Sequence, residues 1–353
     1  TFDRVVIVGG GAYTGAGLQI GGAAGTLMVQ GATTSTVNVT SVNDAPVITS
    51  NGGGASASVN VAENSTAVTT VVATDADLPA QGITYSITGG ADSAKFSIVA
   101  ATGVLSFNTA PDFETRLDVG ANNVYDLIVT ATDDGSPAGT KTQTIAVTVT
   151  NVNEAPVITS NGGGATGSIS LAENVTAVTT VTSTDVDASS TKTYSISGGA
   201  DSAKFSIVAG TGVLTFLIAP NYEVPADGDT DNVYEVIVRI VDNGSPVLDA
   251  TQALSITVTD VDEAPSITSS GSASFAENAT GTVYTATGSD PEGAALSYTL
   301  GGTDVGLFNI NAASGAVTFK VSPDFEAPSD SGTDNIYDIT VIASDGGLSS
   351  AAR

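Results

Sequence analysis

The 353-residue sequence contains no cysteine, no histidine and no tryptophan, and it has a single methionine. The lack of cysteine excludes disulfides and thiolate metal sites, so a secreted chain of this kind depends on hydrophobic cores or on metal ions held by other ligands. The lack of histidine removes the commonest general base and a frequent metal ligand. What remains for metal binding is oxygen from Asp, Glu and Asn, the ligand type that calcium prefers.

Positive charge is also scarce, because nine basic side chains stand against 37 acidic ones and the net charge is −28. A chain this acidic repels nucleic acid and anionic membranes, so we expect neither as a partner and expect cations instead. No apolar run approaches the roughly 18 residues that a membrane-spanning helix needs. Hydrophobic residues nevertheless make up 41% of the chain, which indicates folded domains and not a disordered polyanion. The length predicts roughly two to four such domains.

An internal repeat of about 110 residues organises the sequence. The hexapeptide Ala-Pro-Val-Ile-Thr-Ser at 45–50 returns unchanged at 155–160 and in altered form at 264–269. In each copy it is followed by the tripeptide Ala-Glu-Asn, then by two acidic residues two positions apart, and then by Pro-Asp-Phe-Glu or its variant Pro-Asn-Tyr-Glu. Motifs that return three times in the same order predict three copies of one structural unit.

The local pattern within each copy is that of β-strands. Residues 145–150 and 254–259 alternate apolar residues with Thr or Ser, as half-buried strands do. Turn-forming clusters of Gly, Asn, Asp and Pro interrupt such stretches, and helical periodicity is missing. About seven short strands in roughly 105 residues predict an all-β fold of tandem Greek-key β-sandwiches of immunoglobulin-like type. We expect these sandwiches to form an elongated rod.

The Ala-Pro hexapeptides set the predicted domain boundaries. We assign module 1 to residues 45–154, module 2 to 155–263 and module 3 to 264–353, with 1–44 as the last strands of a preceding module or a donor-strand segment.

Module 3 lacks a counterpart of Gln143–Thr150, the predicted final strand of module 1. Either the chain is cut there, or another copy of the chain supplies the strand by adding to an open sheet edge. Thr34–Thr40 has the alternating pattern that a donated strand needs. Neighbouring copies of the chain are therefore one predicted partner.

With these motifs in order over roughly residues 41–353, the units resemble cadherin repeats, in the version found in giant bacterial surface proteins. The resemblance implies Ca²⁺ at each junction between modules. It assigns the ligands to the Glu of the Ala-Glu-Asn motif, the Glu of the Pro-Asp-Phe-Glu motif, the acidic linker before Ala-Pro, and an Asp-x-Asp pair and an Asp-Gly loop in the next module.

Transferred to this sequence, the resemblance names three ligand sets. The junction of modules 1 and 2 receives Glu63, Glu114, Asn151, Asn153, Glu154, Asp185, Asp187 and Asp242. The junction of modules 2 and 3 receives Glu173, Glu223, Asp260, Asp262, Glu263, Asp290, Glu292 and Asp345. The start of module 1 receives Asn43, Asp44, Asp75, Asp77 and Asp133.

The sequence departs from the family pattern at several of these positions. The linker is one residue shorter than in the animal proteins, Asn151 stands where a carboxylate is usual, and Glu292 replaces the second Asp of its pair. Aromatic residues replace the Arg before the mid-domain Glu, namely Phe113, Tyr222 and Phe325. These departures bear on the number and spacing of the ions.

A simpler interpretation is that the carboxylates only keep an all-β surface soluble. They recur at fixed offsets beside turns and linkers, however, which favours their use as ligands. The Asp-Gly pairs at Asp133, Asp242 and Asp345 are also ordinary turn formers, so the argument for these three is weaker.

Two further segments carry weaker patterns. Residues 227–232, Asp-Gly-Asp-Thr-Asp-Asn, resemble the start of an EF-hand loop but lack its Gly at position six, and Val238 occupies the place of the bidentate Glu. A local ion and a plain Asx turn both remain open for this segment. The Gly-rich residues 5–11 do not form a dinucleotide fingerprint, because no helix follows them.

No catalytic set is evident, because a serine nucleophile would lack a histidine base and the acidic residues repeat three times beside linkers. We therefore predict that the chain is not an enzyme. It is predicted to be a calcium-dependent structural and adhesive region of an extracellular bacterial surface protein, at the cell surface or secreted, which binds other copies or other cell-surface molecules.

Two alternatives remain open. The modules could bind carbohydrate or matrix as an array within a secreted protein, or they could be appended to a secreted hydrolase. Exposed aromatic platforms would support carbohydrate binding, but aromatic residues are only 5% of the chain. The strand patterns around Phe96, Phe205 and Phe308 predict that these rings belong to the core.

Overall fold

The computed structural model describes residues 42–353, so the predicted donor segment Thr34–Thr40 lies outside the described residues. The chain divides into two compact units, of which the first ends at Val152 and the second comprises Asn153–Arg353. Over residues 42–353 the regular structure is β-strand with three one-turn 3₁₀ helices, and no helix there is long and apolar enough to cross a membrane.

The described part of the first unit contains nine strands and one 3₁₀ turn, at Ser93–Lys95. The strands are β1 (Val47–Ile48), β2 (Ser56–Ala62), β3 (Ala67–Thr70), β4 (Ala73–Thr74), β5 (Thr84–Gly89), β6 (Phe96–Ile98), β7 (Val104–Phe107), β8 (Val124–Thr132) and β9 (Thr140–Thr150).

Two sheets face each other in this unit. One has the order β2-β9-β8-β5 and the other β3-β7-β6, while β1 pairs with β4. All pairs are antiparallel except β2 with β9, which run side by side in the same direction from Ser56 opposite Thr144 to Ala62 opposite Thr150. The two sheets form the predicted Greek-key sandwich, and the all-β prediction is confirmed.

The core of the first unit lies between the sheets, because side chains on a strand point alternately to opposite faces. Leu127 on β8 and Val147 on β9 are fully buried, while the residues next to each of them in sequence are exposed or half-buried. Phe96 and Phe107 pack against the edge of the Tyr125 ring at centroid distances of 6.2 and 5.2 Å. Edge-on aromatic contacts of this kind add to the free energy of burial.

The second unit begins with a copy of the same pattern, including a 3₁₀ turn at Ser202–Lys204. Its strands are β10 (Val157–Ile158), β11 (Thr166–Ala172), β12 (Ala177–Thr180), β13 (Ser183–Thr184), β14 (Thr193–Gly198), β15 (Phe205–Ile207), β16 (Val213–Phe216), β17 (Val233–Val241) and β18 (Asp249–Thr259). The sheet orders are β11-β18-β17-β14 and β12-β16-β15, again with β11 parallel to β18.

The rest of the second unit carries a reduced version of the pattern, with a 3₁₀ turn at Val305–Leu307. Its strands are β19 (Ser266–Ile267), β20 (Thr282–Thr285), β21 (Gly288–Ser289), β22 (Ser297–Gly301), β23 (Phe308–Ile310), β24 (Ala316–Phe319) and β25 (Thr340–Ser344). The sheet β20-β24-β23 is retained, but the other sheet contains only β22 and β25.

The missing pairing has a local physical cause. In the first two copies, β2 and β11 are hydrogen-bonded only to the long final strands β9 and β18. In module 3 only residues 349–353 run beside β25 in the place of such a strand, so residues 272–276 and 336–339 have no ladder partner and are not strands. A groove of about 500 Å³ lies between them, lined by Phe275, Phe319 and Tyr337 among others.

The three phenylalanines predicted to be core residues are buried in the structure. Phe96, Phe205 and Phe308 are each 5–6% exposed and each packs on a second phenylalanine. These rings do not form an exposed aromatic platform. Carbohydrate binding would need such a platform, so these three rings do not support it.

Candidate metal centre

Glu173 is the anchor of the acidic site in the second unit. It directly follows β11, and its side chain is 1% exposed. Its Oε1 accepts a hydrogen bond from the Val261 amide at 3.0 Å and its Oε2 accepts one from the Tyr222 amide at 2.8 Å. The carboxylate therefore joins the end of β11 to the linker and to the loop that carries Glu223. Glu63 holds the Val152 and Phe113 amides in the same way in the first unit.

Two overlapping groups of carboxylates surround this anchor. Oxygen atoms of Glu173, Glu223 and Asp260 lie within 4.8 Å of one another, and so do oxygen atoms of Glu223, Glu263 and Glu292. Module 2, the linker and module 3 all contribute. The structure therefore brings together five of the eight residues predicted for the junction of modules 2 and 3, and Glu223 belongs to both groups.

Several carboxylate oxygens at this junction are buried without a hydrogen-bond donor. They are Glu223 Oε2, Glu263 Oε2, Asp290 Oδ2, Glu292 Oε2 and Asp345 Oδ2. Buried polar atoms are nearly always hydrogen-bonded, and burying an unpaired charge is costly. A cation bound among them would remove that cost, and an all-oxygen, carboxylate-rich set is the one that suits calcium. The residues present therefore fit a calcium ion.

The pKa values at the junction reflect this crowding of negative charge. The adjacent carboxylate of Glu292, together with burial, raises the pKa of Glu263 to about 7. Burial raises the pKa of Glu223, and the charges of Glu173 and Asp260 raise it further. Like charges that cannot separate hold protons more tightly, so a bound cation and a proton compete for the same oxygens.

The linkers differ at one position. Asn153 donates a hydrogen bond to Asp242 Oδ2 at 2.8 Å, and Asn43 donates to both oxygens of Asp133. The equivalent residue before module 3 is Asp262, whose side chain has no amide to donate. Burial raises the pKa of Asp262, and the charge of Asp345 is the next cause.

The aspartates that receive an asparagine behave in the opposite way. Burial raises the pKa of Asp242, but hydrogen bonds from the Leu248 amide, the Asn153 side chain and the Gly244 amide outweigh it, so the net pKa is lowered. Asp133 is held in the same manner by Gly139, Gly135 and Asn43. Both carboxylates thus already have donors, whereas Asp345 keeps one oxygen without a donor.

The Asp-x-Asp pairs form compact turns. Asp185 Oδ1 accepts the amide of Asp187 at 3.0 Å and its Oδ2 accepts the Ser190 hydroxyl at 2.6 Å. Asp187 in turn accepts the amide of Glu154 at 3.0 Å, which ties the pair to the preceding linker. In the first unit Asp75 Oδ1 accepts the amide of Asp77 at 2.9 Å and Asp77 accepts the amide of Asp44 at 2.8 Å, but Asp75 Oδ2 has no donor.

The ligand set predicted for the junction of modules 1 and 2 is divided between the two units. Glu63, Glu114 and Asn151 belong to the first unit, and Asn153, Glu154, Asp185, Asp187 and Asp242 belong to the second. The assignment of these residues to one calcium site remains a prediction.

The structure adds polar residues that the motifs did not reveal. Gln81 donates to Asn43 Oδ1 at 2.6 Å and to Asp77 Oδ2 at 3.2 Å, and Asn174 donates to Glu263 Oε1. Glu277, Asp324 and Glu326 form a further, exposed carboxylate group in module 3. The signal for this group was present, because Glu277 and Glu326 repeat the positions of Glu173 and Glu223.

Comparison with known proteins identifies the repeats. The family model for the cadherin domain matches residues 57–150 and 167–259. Protocadherin Fat 4 of Mus musculus is 32% identical over 282 residues, which cover 74% of this chain and 5% of that protein. Cadherin-23 of Rattus norvegicus is 26% identical over 276 residues, covering 73% of the chain and 8% of that protein. The chain therefore spans less than a tenth of these relatives.

A solved structure shows the same fold. The crystal structure of mouse Cadherin-23 EC22-24 superposes with a TM-score of 0.53 at 23% identity, covering 88% of this chain and 96% of that one. Cadherin domains are adhesion modules that generally bind calcium, and the family match confirms the prediction that the chain is not an enzyme. The relatives named here are animal proteins and do not test a bacterial origin. The chain belongs to the cadherin family and is built of cadherin repeats in tandem.

Proposed function

We propose that this chain is the calcium-dependent structural and adhesive region of an extracellular surface protein. The single observation that carries the proposal is the set of five buried carboxylate oxygens without donors at the junction of modules 2 and 3. Three elements contribute to that set, so a cation held there links the modules through the linker. Cadherin family membership supports the same conclusion.

The residues have separate roles in this proposal. Glu173 and Glu223 present oxygens from module 2, Glu263 presents one from the linker, and Asp290 and Glu292 present oxygens from module 3. Without a cation these groups repel each other. Bound calcium supplies the compensating charge. Because Glu223 belongs to both carboxylate groups, we infer two adjacent ion positions at this junction.

The experiment compares the whole chain in millimolar calcium and in excess chelator, by calorimetry and small-angle scattering. We expect calcium to raise the melting temperature and to increase the maximum dimension in solution, because the junctions stiffen. A tenfold excess of calcium over the dissociation constant adds about 1.4 kcal/mol per site by mass action. The double variant Asp290→Asn with Glu292→Gln should lose much of the gain.

The matched control removes the same two charges elsewhere. Glu235→Gln with Asp338→Asn changes two exposed carboxylates outside the carboxylate groups, one on β17 and one in the irregular segment before β25, and it should keep the full calcium response. Equal melting temperatures and dimensions with and without calcium in the unmodified chain would refute the proposal.

We also propose that the chain forms a rigid rod on a bacterial surface. The basis is the resemblance to the repeats of giant bacterial surface proteins. Antibody raised against the purified chain should label intact cells of the source organism. Labelling only after the cells are broken would contradict the surface location.

A second function, assembly into a filament, is favoured by the groove in module 3. We propose that the groove receives Thr34–Thr40 of a second copy. Val37 and Val39 in that segment match the buried Val147 and Val149 of β9 when the Asn-x-Ala-Pro linkers are aligned. The groove is lined by the rings of Phe275, Phe319 and Tyr337, which these valines would cover.

Particle size tests strand donation directly. Light scattering should show concentration-dependent growth, and the double variant Val37→Asp with Val39→Asp should remain small because burying a carboxylate against the rings of Phe275, Phe319 and Tyr337 is costly. A synthetic peptide of residues 31–42 should block growth by occupying the groove. A constant molecular mass at all concentrations would overturn the donation, and would indicate that a continuation of the same polypeptide fills the groove.

A further inference from the structure

A loop that precedes the long central strand occurs in all three modules. It runs from Asp118 to Asn123, from Asp227 to Asn232 and from Asp330 to Asn335. The first aspartate is buried in each copy, at 6%, 5% and 3% exposure. These loops are not among the residues that the cadherin resemblance assigns to calcium.

In modules 1 and 3 the first aspartate has donors on both oxygens. Asp118 Oδ2 accepts the Asn122 amide and its Oδ1 accepts the Asn123 amide, both at 2.9 Å. Asp330 accepts the amides of Asp334 and Asn335 at 3.0 and 3.1 Å. The loop is therefore a closed Asx-type turn in these two modules.

The loop of module 2 differs in composition and in bonding. Asp229 replaces the glycine that modules 1 and 3 have at this position, Gly120 and Gly332. Oxygen atoms of Asp227, Asp229 and Asp231 lie within 4.8 Å of one another.

Asp227 is the second observation that points to a ligand. It is 5% exposed, and its Oδ2 accepts the Asp231 amide at 2.8 Å. Its Oδ1, however, is buried without any hydrogen-bond donor. The equivalent oxygen has an amide donor in modules 1 and 3. The oxygen without a donor therefore occurs in the loop that contains the third carboxylate.

The pKa values follow the same division. The charge of Asp231 raises the pKa of Asp229, with burial as the second cause. In the other two modules burial raises the pKa of Asp118 and of Asp330, but the hydrogen bonds that each aspartate accepts from the loop outweigh it and the net pKa is lowered. The loop of module 2 thus carries uncompensated negative charge.

We propose that Asp227, Asp229 and Asp231 form a calcium site of module 2 itself, separate from the carboxylate groups at the junction. Each aspartate supplies one carboxylate oxygen, and water completes the six to eight ligands that calcium takes. Magnesium is disfavoured because it demands a strict octahedron and gives up its waters reluctantly. Two of the three carboxylates are exposed, so we expect an affinity in the range of about 10⁻⁴–10⁻³ M that extracellular modules show.

Hydrogen exchange with mass spectrometry on the whole chain tests this site locally. We expect calcium to slow amide exchange in a peptide covering 224–234, with a midpoint near about 10⁻³ M. The equivalent peptides, 115–125 in module 1 and 327–337 in module 3, serve as internal controls. They should show at least severalfold less protection, because their loops have a glycine in place of Asp229.

The variant Asp229→Gly gives the loop of module 2 the same two aspartates and central glycine as the loop of module 3, Asp330, Gly332 and Asp334. We expect it to abolish the calcium-dependent protection of 224–234 while a linker peptide covering 258–265 keeps its response to calcium. Sodium chloride at equal ionic strength should not substitute for calcium.

Three results would overturn the local site. They are unchanged protection in Asp229→Gly, equal protection of all three loop peptides, or full protection by sodium chloride. The proposal does not depend on calcium at the junction, because the two peptides report the two sites separately.

Discussion

One buried aspartate per module fastens the loop before the long central strand. Asp92 is 3% exposed, and its two oxygens accept the amides of Val119 and Asp126 at 2.8 and 2.9 Å. Asp201 and Asp304 hold the equivalent amides in the other two modules. A single side chain thus connects the turn after β5 to the loop and to the start of β8.

Asp92→Ala should therefore destabilise the first unit by about 3 kcal/mol, because two amides lose a charged acceptor. Asp92→Asn keeps one acceptor oxygen and should cost less. Urea unfolding measures both. The control Ser97→Ala removes an exposed hydroxyl on β6 and should leave the free energy of unfolding unchanged; an equally small effect for Asp92→Ala would contradict the role of Asp92.

Asp118 makes the stability of the first unit depend on pH. Burial raises its pKa, but hydrogen bonds from the Asn122 and Asn123 amides outweigh this, so its folded pKa lies below the value of 3.8 expected for the unfolded chain. Its contribution to stability is therefore fully present above about pH 4 and is lost as the pH falls through the folded pKa.

Melting temperatures between about pH 5 and about pH 3 in calcium-free buffer should fall more steeply for the unmodified chain than for Asp118→Asn, which does not titrate. Parallel curves for the two proteins would show that Asp118 contributes nothing to the acid sensitivity. Asp126→Asn is the matched control, because this exposed aspartate sits on the neighbouring strand.

At the scale of elements, the long final strand decides whether its neighbours form. β9 and β18 each separate two strands of a four-stranded sheet, and in module 3 the segments that would flank such a strand are irregular. The buried core cluster is correspondingly small there, with Tyr298, Val341, Ala343 and Ala286 as its buried members.

We therefore expect module 3 to be the least stable part of the described chain. Amides of β22 and β25 should exchange at least tenfold faster than those of β14 and β17, which occupy the same places in a complete sheet. Hydrogen exchange in calcium resolves the two sets. Equal exchange rates would mean that the open sheet costs module 3 no stability.

The strands followed from the sequence wherever apolar residues alternate, as in β9 and β18. The irregular segments of module 3 did not, because Ser272–Ala276 still alternates and its lack of order depends on a partner that is distant in sequence. The role of Asp92 was also hidden, since its motif, Gly-Gly-Ala-Asp-Ser, has the composition of an ordinary turn.

At the scale of the whole molecule, the junctions are not equivalent. Asn153 donates to Asp242, while Asp262 faces Asp345 without a hydrogen to donate. Asp262→Asn would supply that donor and remove one of the crowded charges. We expect it to raise the melting temperature in chelator by roughly 5 °C and to reduce the further rise with calcium.

Asp338→Asn removes one exposed charge away from the carboxylate groups and serves as the control. If Asp262→Asn lowers the melting temperature in chelator, Asp262 is not repelled by its neighbours and the interpretation of its raised pKa is wrong.

Five of the eight residues that the family resemblance names for the junction of modules 2 and 3 lie together in the structure, because the repeat fixes their positions in the fold, and their use as calcium ligands stays a prediction. The sequence did not predict which of their oxygens already have donors. Whether an oxygen has a donor depends on single-residue differences between equivalent positions of the modules, such as Asn153 and Asp262, or Gly120 and Asp229. The effect of these differences appears only when the loops are folded against each other.

The parallel pairing of β2 with β9 has a mechanical consequence. The chain enters the module ahead of β2 and leaves it after β9, so a force that pulls the two ends apart drags these adjacent strands in opposite directions. All seven residues of β2 pair with residues of β9. The force acts parallel to the strands, so it acts on all the hydrogen bonds between β2 and β9 at the same time. The bonds must then break together instead of one after another, so each complete module resists stretching in shear, the geometry suited to a protein that carries tension.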